Sequence, residues 1–365
     1  MIFLRILLVL VLLCYPLSAS ATPPLPFLLG GQNAREYVCP VCPHVDDLLH
    51  AEPHAKPGVC PVCGMKLIEK PVRAGQAPSI HPGTGAFTLR VGHGEVRDVD
   101  VFYYRPDRLT EHSPVLIVLP GAGRNAWDYR DHWVKPADQF GVLVLALHYP
   151  ESRYPRFWNY NIAGMITDVV IDPSARAVAS YRIKDDRKQW LFDDVDMVFD
   201  SAVRALGLKT DRYDLFGHSA GGQFLHRFAL FAQENTRANR ILASNSGWYT
   251  VPDYSEKFPF GLADAPMTEA QLALAFARHL VVFLGGTDDE NETRGDLTRN
   301  AQTDRQGRHR LERGKYFYEQ SAKAAAGMNV DFNWELAVIP GVGHDPKGMS
   351  LAAARYLYDE PLDRP

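Results

Sequence analysis

The feature that most constrains this fold is a sharp turn, the Gly-x-Ser-x-Gly run at residues 217–221 with Ser219 at its centre. Residues 213–216 before it have the composition of a short strand, and residues 221–231 after it predict a helix. A serine between a strand and a helix sits on strained backbone that exposes its hydroxyl. The flanking glycines let strand and helix approach closely. The pattern predicts that Ser219 is a nucleophile; the alternative is a glycine-rich turn with an ordinary serine.

A nucleophilic serine needs a base and an acid, and both follow Ser219 in the order that this type of site uses. Asp288 and Asp289 come after an apolar strand at residues 280–284, and His344 comes after a strand that ends near residue 339. Open parallel sheets place their sites on loops at the carboxyl ends of strands. We therefore predict His344 as the general base and Asp288 as the acid that orients it, with Asp289 as the alternative. The alternative for His344 is a surface loop histidine.

Backbone donors for a developing oxyanion are also predicted. The loop at residues 120–125, Pro-Gly-Ala-Gly-Arg-Asn, directly follows the continuous apolar run 115–119. Small residues there would let a substrate approach the backbone N–H groups. The predicted donors are the N–H of Ala220, next to the nucleophile, and the N–H of Ala122; an ordinary tight turn is the alternative.

Strand and helix signals alternate along most of the chain, which favours an α/β fold with a mostly parallel sheet covered by helices on both faces. The predicted helices include residues 191–206 and 315–326. The predicted strands are residues 86–91, 96–104, 115–119, 142–147, 213–216, 241–243, 279–284 and 333–339.

Composition limits the classes of function. The 365 residues are 46% hydrophobic and 22% charged, which is enough apolar material for a large core. The formal net charge of −4 provides no overall field that would attract nucleic acid. We expect no nucleic-acid partner, and the sequence identifies no partner protein.

The first 21 residues have the pattern of a secretory signal peptide. Arg5 supplies a positive start, residues 6–13 are continuously apolar, and Ala19-Ser20-Ala21 supplies small residues for cleavage. The alternative is an uncleaved anchor, but the apolar stretch is short for a membrane span. We expect a periplasmic or secreted protein with no stable membrane span after cleavage. A proline-rich linker at residues 22–36 follows.

Four of the five cysteines lie in a small module at residues 37–70, as two Cys-x2-Cys pairs formed by Cys39, Cys42, Cys60 and Cys63. Two such pairs present four thiolates, enough to close a tetrahedral site for zinc or another soft metal ion. A module this small has little core, so bound metal would supply folding energy. The alternative is two disulfides, which an oxidising compartment permits. A second linker at residues 71–85 separates the module from a cysteine-free catalytic domain at residues 86–365.

Residues 86–360 resemble the polyhydroxybutyrate-depolymerase and feruloyl-esterase-like branch of the α/β-hydrolases. The resemblance rests on the 120–125 loop, the Gly-His-Ser-Ala-Gly-Gly-Gln-Phe run around Ser219, the Gly-Val-Gly-His end at His344, and the segment 245–249. It implies an α/β-hydrolase fold and hydrolysis of a small-molecule or polymeric ester through an acyl-enzyme, with no cofactor needed for catalysis. Pro120 stands where many relatives have a histidine, which puts the oxyanion geometry in question.

The cysteine module resembles the heavy-metal-binding domain of periplasmic metal-efflux adaptors, through Tyr-x-Cys-Pro at residues 37–40 and Pro-Gly-x-Cys-Pro-x-Cys-Gly-Met at residues 57–65. Cys42 stands where that family has a histidine, so the ligand set would be all thiolate, which still suits zinc or a soft metal. Further ligands could come from the stretch between the two pairs, although solvated loop residues are the simpler interpretation. The histidines concerned are His44, His50 and His54.

Two other functions compete with a secreted serine esterase. One is a periplasmic metal-binding protein whose hydrolase-like domain is only a scaffold, and the other is a serine peptidase of the same fold. The aromatic-rich stretch 154–188 predicts a lid or an acyl pocket, or a buried connecting loop. The aromatic side chains concerned are Tyr154, Phe157, Trp158 and Tyr160, with Trp248 and Tyr249 from another segment.

Overall fold

The continuous apolar runs of the sequence form the middle of one large sheet in the computed structural model, which describes residues 35–40, 48, 51–73, 77–93, 96–174, 177–289 and 297–359. The strands are β1 (Tyr37–Val38), β2 (Ile68–Glu69), β3 (Val72–Arg73), β4 (Gly83–Val91), β5 (Arg97–Arg105), β6 (Val115–Leu119), β7 (Leu143–His148), β8 (Ile166–Asp172), β9 (Ala177–Ile183), β10 (Tyr213–His218), β11 (Ala238–Ser244), β12 (His279–Gly285) and β13 (Glu335–Ile339). The helices are α1 (Ala126–His132), α2 (Val134–Phe140), α3 (Phe192–Leu206), α4 (Ala220–Phe231), α5 (Glu269–Phe276), α6 (Ala301–Gln306), α7 (Arg310–Met328) and α8 (Pro346–Tyr358).

Nine strands make the main sheet, in the order β13-β12-β11-β10-β6-β7-β5-β4-β3. The six strands from β13 to β7 are mutually parallel, whereas β5 runs antiparallel to both β7 and β4. The α/β class with a mostly parallel sheet is therefore confirmed. All the carboxyl ends of the parallel strands meet at one edge, where the loops that carry the candidate site residues begin.

The central strands of the sheet are buried on both faces, as the side chains of β6 show. Leu116 and Val118 point into an apolar cluster that includes Trp133 between α1 and α2. Ile117 points to the other face, into a cluster with Phe224 of α4. All five residues of β6 are buried, as expected for a central strand covered by helices on both sides.

The prediction of a linker over residues 71–85 is wrong at both ends. Val72–Arg73 pairs with β4 as an edge strand of the main sheet, and β4 begins at Gly83, three residues earlier than the sequence suggested. One glycine of this stretch, Gly85, is required for close packing between strands. A Cβ at Gly85 would lie 2.2 Å from Cζ of Tyr103 on the neighbouring strand, so only glycine fits.

The cysteine-containing segment packs against the catalytic domain. Val38 and Ile68, from the antiparallel pair β1 and β2, belong to the same apolar cluster as Trp133. Lys66 Nζ lies 4.0 Å from Asp131 Oδ2 on α1. Residues Glu36–Pro365 form one compact unit, so the module and the hydrolase domain share a core.

The aromatic-rich stretch contains a β-hairpin that the sequence did not reveal. Strands β8 and β9 pair antiparallel outside the main sheet, with register shifts after Thr167 and Val170. Within the part of the chain that the structure describes, no helix has the length and apolarity to cross a membrane. The predicted signal peptide, residues 1–21, lies outside the described residues.

Candidate active site

Ser219 lies in the turn between β10 and α4, with φ 57° and ψ −112°. A positive φ is costly for a residue with a side chain, and such outliers concentrate at functional sites. The Ser219 N–H donates to the Ser244 carbonyl oxygen at 2.8 Å, which ties the turn to the end of β11. Ser219 therefore lies at the carboxyl edge of the sheet, where the sequence placed it.

Glycines surround this turn because backbone passes too close for any side chain. A Cβ at Gly217 would lie 2.4 Å from the Gly221 carbonyl oxygen, and a Cβ at Gly221 would lie 2.2 Å from that of Leu119. Gly222 is equally constrained, since its Cβ would lie 2.4 Å from the Ser244 carbonyl oxygen. The helix α4 is thus pressed directly against the strand ends, which fixes the direction of the turn.

His344 and Asp288 meet across two loops at the same edge. His344 Nδ1 lies 2.8 Å from Asp288 Oδ2. Asp288 follows β12 and is only 8% exposed, whereas the neighbouring Asp289 is exposed. The structure therefore places Asp288, and not Asp289, against the imidazole.

Asn245 holds the same carboxylate from the other side, a role that the sequence did not indicate. Its Nδ2 donates to Asp288 Oδ2 at 2.7 Å and to the Gly343 carbonyl oxygen at 3.1 Å. Its Oδ1 accepts from the Gly285 N–H at 3.0 Å. Asn245 is fully buried with a positive φ of 47°. One side chain thus joins the ends of β11 and β12 to the loop that carries His344.

Ser219 and His344 line one cavity but are not hydrogen-bonded: among the hydrogen bonds of the described residues, none involves the Ser219 hydroxyl. The imidazole of His344 instead lies beside that of His218, with ring centroids 4.5 Å apart and the rings tilted by 38°. Both Ser219 and His344 are among the residues that line the cavity. Catalytic hydrogen bonds are often long in the absence of substrate and tighten when it binds.

The candidate oxyanion donors lie beside the serine. Ala122 and Ala220 both line the cavity, and a Cβ at Gly121 would lie 3.6 Å from that of Ser219. The loop is held from two sides. The Tyr160 hydroxyl donates to the Pro120 carbonyl oxygen at 2.6 Å. The Tyr129 hydroxyl packs against Gly121, where it would lie 2.8 Å from an added Cβ, and burial raises the pKa of this phenol well above its ordinary value. The loop is therefore well supported, although Pro120 stands where many relatives have a histidine.

The cavity has a volume of about 790 Å³ and mixes aromatic and cationic walls. Phe157, Trp158 and Trp248 line it, as the sequence suggested for an acyl pocket. Tyr154, Tyr160 and Tyr249 are instead buried in the core. The hairpin forms another part of the wall through three side chains, those of Ile171, Pro173 and Val178.

Many solved structures match this chain over most of its length, and two of them are more than 30% identical to it. Poly(aspartic acid) hydrolase-1 from Sphingomonas sp. KT-1 is 35% identical and has a TM-score of 0.69, and the match covers 77% of this chain and 100% of that one. A poly(3-hydroxybutyrate) depolymerase from Bordetella parapertussis is 31% identical with a TM-score of 0.69, covering 78% of this chain and 93% of that one. This chain belongs to the depolymerase-like α/β-hydrolases. Neither a protein-family model nor a curated protein matches it.

Membership makes the chain a serine hydrolase of the carboxylic-ester type, so the edge that carries Ser219 is the candidate active site of this α/β-hydrolase.

A buried arginine lies behind the candidate active site. Arg227 of α4 lies over the Trp248 ring, with 4.2 Å from Cζ to the ring centroid, and Nε donates to Thr250 Oγ1 at 2.9 Å. This arginine supports the cavity wall from behind.

Away from the active site, the hydrolase brings three cysteines together. The sulfur atoms of Cys39, Cys60 and Cys63 all lie within 4.8 Å of one another, so they could hold a metal ion. Cys39 Sγ and Cys63 Sγ are 3.3 Å apart, well beyond the roughly 2.05 Å of a disulfide bond. Backbone N–H groups of Cys63 and Val62 point at Cys60 and lower the pKa of its thiol, which favours the thiolate that a metal needs.

The rest of the predicted metal site is only partly described. Cys42 lies outside the described residues, as do His44 and His50. His54 is described and pairs through its backbone with Tyr37, and it is not part of the cysteine group. The three described cysteines fit a soft metal ion, because thiolates are the ligands that such ions prefer.

Proposed function

We propose that this chain is an exported serine hydrolase that cleaves carboxylic esters through an acyl-enzyme. In this proposal Ser219 is the nucleophile, His344 is the general base and Asp288 orients the imidazole. The observation that carries it is the 2.8 Å hydrogen bond between His344 Nδ1 and Asp288 Oδ2, at the edge of a cavity that Ser219 and His344 both line. That bond leaves Nε2 of His344 for the serine.

Each of these residues has a defined role in the reaction. His344 accepts the proton of the Ser219 hydroxyl as the serine oxygen attacks the ester carbonyl carbon. The N–H groups of Ala220 and Ala122 stabilise the negative oxygen of the tetrahedral intermediate. His344 then returns the proton to the alcohol that leaves. Water repeats the sequence on the acyl-enzyme, which releases the acid and restores the serine.

The substrate proposal is an ester, either small or part of a polymer. The two relatives are named for hydrolysis of poly(aspartic acid) and depolymerisation of poly(3-hydroxybutyrate). A cavity of about 790 Å³ with an aromatic wall is large enough for more than a minimal acyl group. We therefore propose that a segment of a longer chain can occupy it.

The metal proposal is that Cys39, Cys60 and Cys63 bind zinc or another soft ion together with Cys42. Four thiolates would close a tetrahedral site and leave no position for a substrate. None of the three described cysteines is among the residues that line the cavity. The ion would therefore stabilise the fold and take no part in the chemistry.

Export is proposed from the first 21 residues of the sequence. The apolar run, Arg5 before it and Ala19-Ser20-Ala21 after it support cleavage after Ala21. Mass spectrometry of the protein recovered from a periplasmic or culture-medium fraction tests this, since the mature chain should begin at Thr22. An intact N-terminus in the membrane fraction would support an anchor instead.

The catalytic proposal is tested by p-nitrophenyl butyrate hydrolysis. Ser219→Ala should lower kcat by at least about 10³-fold while leaving the melting temperature near that of the unmodified protein, because triad members act as a unit. Ser152→Ala is the matched control, since Ser152 is exposed and does not line the cavity. A Ser219→Ala variant with near-normal turnover would contradict the proposal.

A further inference from the structure

The charge of the cavity wall is one-sided. Three arginines line it, Arg156, Arg299 and Arg310, together with His218 and His344. Among the described residues that line the cavity, none is an aspartate or a glutamate. A low-dielectric cleft lined by one sign of charge concentrates ligands of the opposite sign. This wall is therefore suited to an anionic substrate.

The three arginines differ in the ion pairs and hydrogen bonds that they already form within the protein. Arg299 forms a bidentate pair with Asp304, with Nε to Oδ1 at 2.6 Å and an Nη2 contact to Oδ2 at 3.1 Å. Arg310 is buried, and its Nη1 lies 3.7 Å from Asp288 Oδ1. The Arg156 side chain makes no hydrogen bond or ion pair with any described residue and is exposed at the cavity. Its charge is the one that a substrate can use without breaking an ion pair.

The backbone at Arg156 is also unusual for an arginine. Its φ of 67° and ψ of 164° fall in a region that is essentially restricted to glycine. A residue persists there only where its surroundings hold it. Arg124 does so, because its Nη2 donates to the Arg156 carbonyl oxygen at 3.2 Å while its Nη1 donates to that of Tyr149 at 2.6 Å.

The same buried arginine connects Arg156 to the reaction centre. The Arg124 guanidinium lies over the Tyr160 ring, 4.4 Å from Cζ to the centroid. Tyr160 in turn donates to the carbonyl oxygen of Pro120 at 2.6 Å, and Pro120 begins the loop that carries Ala122. The backbone of Arg156 is thus tied to the loop that carries the candidate oxyanion donors, which fixes the point from which the arginine side chain extends.

We propose that the substrate carries a carboxylate and that Arg156 binds it, with Arg299 and Arg310 contributing to the positive wall. This rests on the proposed ester hydrolysis and names the substrate class for the same cavity. The apolar side chains of Phe157 and Trp158, next to Arg156 in the chain, would contact the carbon skeleton between the carboxylate and the ester. The carboxylate could be the free end of a short ester or a pendant group of a polyester.

The test compares two ethyl esters of the same diacid, one anionic and one neutral. Monoethyl adipate is anionic and diethyl adipate is neutral, and hydrolysis of both is followed by acid release. We expect the ratio of their kcat/KM values, anionic over neutral, to fall about tenfold in Arg156→Gln, as expected for a charge-assisted hydrogen bond that is partly exposed to water. Arg156→Lys should recover part of the ratio. Added salt should lower the ratio in the unmodified protein and have little effect on it in Arg156→Gln.

Controls separate charge from folding. Arg108→Gln removes the same charge at an exposed position away from the cavity and should leave the ratio unchanged. Arg156→Gly removes the side chain and relieves the backbone conformation, so it should melt at or above the temperature of the unmodified protein and still lose the ratio. An unchanged ratio in both Arg156→Gln and Arg156→Gly would overturn the proposal.

Polymeric substrates distinguish a terminal carboxylate from a pendant one. Faster release of acid from poly(malic acid), whose residues carry pendant carboxylates, than from poly(3-hydroxybutyrate) would identify a pendant group. A preference confined to monoethyl adipate would identify a terminal carboxylate. Either result must be lost in Arg156→Gln; an equal preference in this variant would overturn the role of Arg156.

Ligand binding to the inactive Ser219→Ala protein tests the carboxylate site independently of catalysis. Calorimetric titration should show that adipate binds at least about tenfold more tightly than the uncharged adipamide, and that Arg156→Gln in this background removes the difference. This holds even if neither ester is hydrolysed, a result that would contradict the proposed function alone. Equal affinity for adipate and adipamide would overturn the carboxylate site.

Discussion

Asn245 Nδ2 lies 2.7 Å from Asp288 Oδ2, the same oxygen that accepts from His344 Nδ1 at 2.8 Å. Two donors therefore converge on a single carboxylate oxygen, one from the end of β11 and one from the loop after β13. These two hydrogen bonds hold the Asp288 carboxylate in one orientation relative to the imidazole. This arrangement also makes Asn245 a positioning residue in the proposed mechanism, because it contacts Asp288, the proposed triad acid, and does not line the cavity.

We predict that Asn245→Ala lowers kcat by about tenfold or more with little change in KM. The loss follows because Asp288 can rotate once this hydrogen bond is removed, and small misplacements of catalytic groups are costly. Steady-state kinetics with p-nitrophenyl butyrate measure it. Asn333→Ala is the control, since Asn333 is exposed. A changed KM with an unchanged kcat would show that Asn245 acts on substrate binding instead.

Substitutions at the two neighbouring aspartates should have very different effects. Asp288→Asn is expected to reduce kcat by roughly 10³- to 10⁴-fold, because an amide at this position favours the wrong imidazole tautomer. Asp289→Asn should have little effect, because that side chain is exposed. Kinetics of the two variants, with circular dichroism to check folding, decide between them. A large loss at Asp289 alone would mean that the acid is misassigned.

Stability should fall in mild acid because of a buried histidine in α4. His226 is fully buried, and its Nε2 accepts from the Thr250 N–H at 3.0 Å. Burial lowers the pKa of His226 well below its ordinary value of 6.5, and Arg227 adds to the effect. Below pH 6.5 His226 therefore binds a proton in the unfolded chain but stays neutral in the folded chain. The free energy of unfolding therefore falls as the pH drops below 6.5, by on the order of 1 kcal/mol per pH unit.

Urea unfolding at pH 7.5 and 5.5 measures this contribution. His226→Gln should lose the part of the pH dependence that belongs to this group, whereas His112→Gln should keep it, since the side chain of His112 is 72% exposed. Identical pH dependence in His226→Gln and the unmodified protein would refute the assignment.

Metal removal should lower stability without stopping catalysis. Val38 and Ile68, from strands next to the cysteines, pack in the same apolar cluster as Trp133, so loosening the cysteine segment exposes part of the shared core. We expect a chelator to lower the melting temperature by several degrees, because a ligand that binds only the folded state stabilises it. Ester hydrolysis at 25 °C should persist.

Metal analysis and thiol counting complete that experiment. One zinc-like ion per chain is expected, and Cys63→Ser should bind it weakly and respond little to the chelator. An absence of both metal and free thiols would mean disulfides. Activity that is lost on chelation and returns with zinc would show that the metal acts on the active site.

The sequence predicted the elements that carry continuous apolar runs or special glycines. Residues 115–119 were predicted as a strand with the bounds that the structure shows, because a strand buried on both faces has a uniform composition. The turn at Ser219 was predictable because close backbone contacts exclude side chains at Gly217 and Gly221. Ser219, Asp288 and His344 were predicted as site residues because each follows a predicted strand and because they occur in this order along the chain.

Features that depend on tertiary contacts were not predictable. The hairpin strand β8 has exposed Val170 and Ile171, so it lacks the alternation of a half-buried strand. Asn245 acts through hydrogen bonds to residues about 40 and 100 positions away, which no local pattern reveals. The strained backbone of Arg156 depends on Arg124, 32 residues earlier.

The central claim is that Ser219 is the nucleophile, and covalent labelling tests it most directly. The purified full-length protein is treated with a fluorophosphonate, digested and mapped by mass spectrometry, with Asp288→Asn as a variant of slowed reactivity. The account predicts one label per chain, on the peptide that contains Ser219, with much slower labelling of Asp288→Asn. Label on a different residue, or no label on a folded protein, would contradict it.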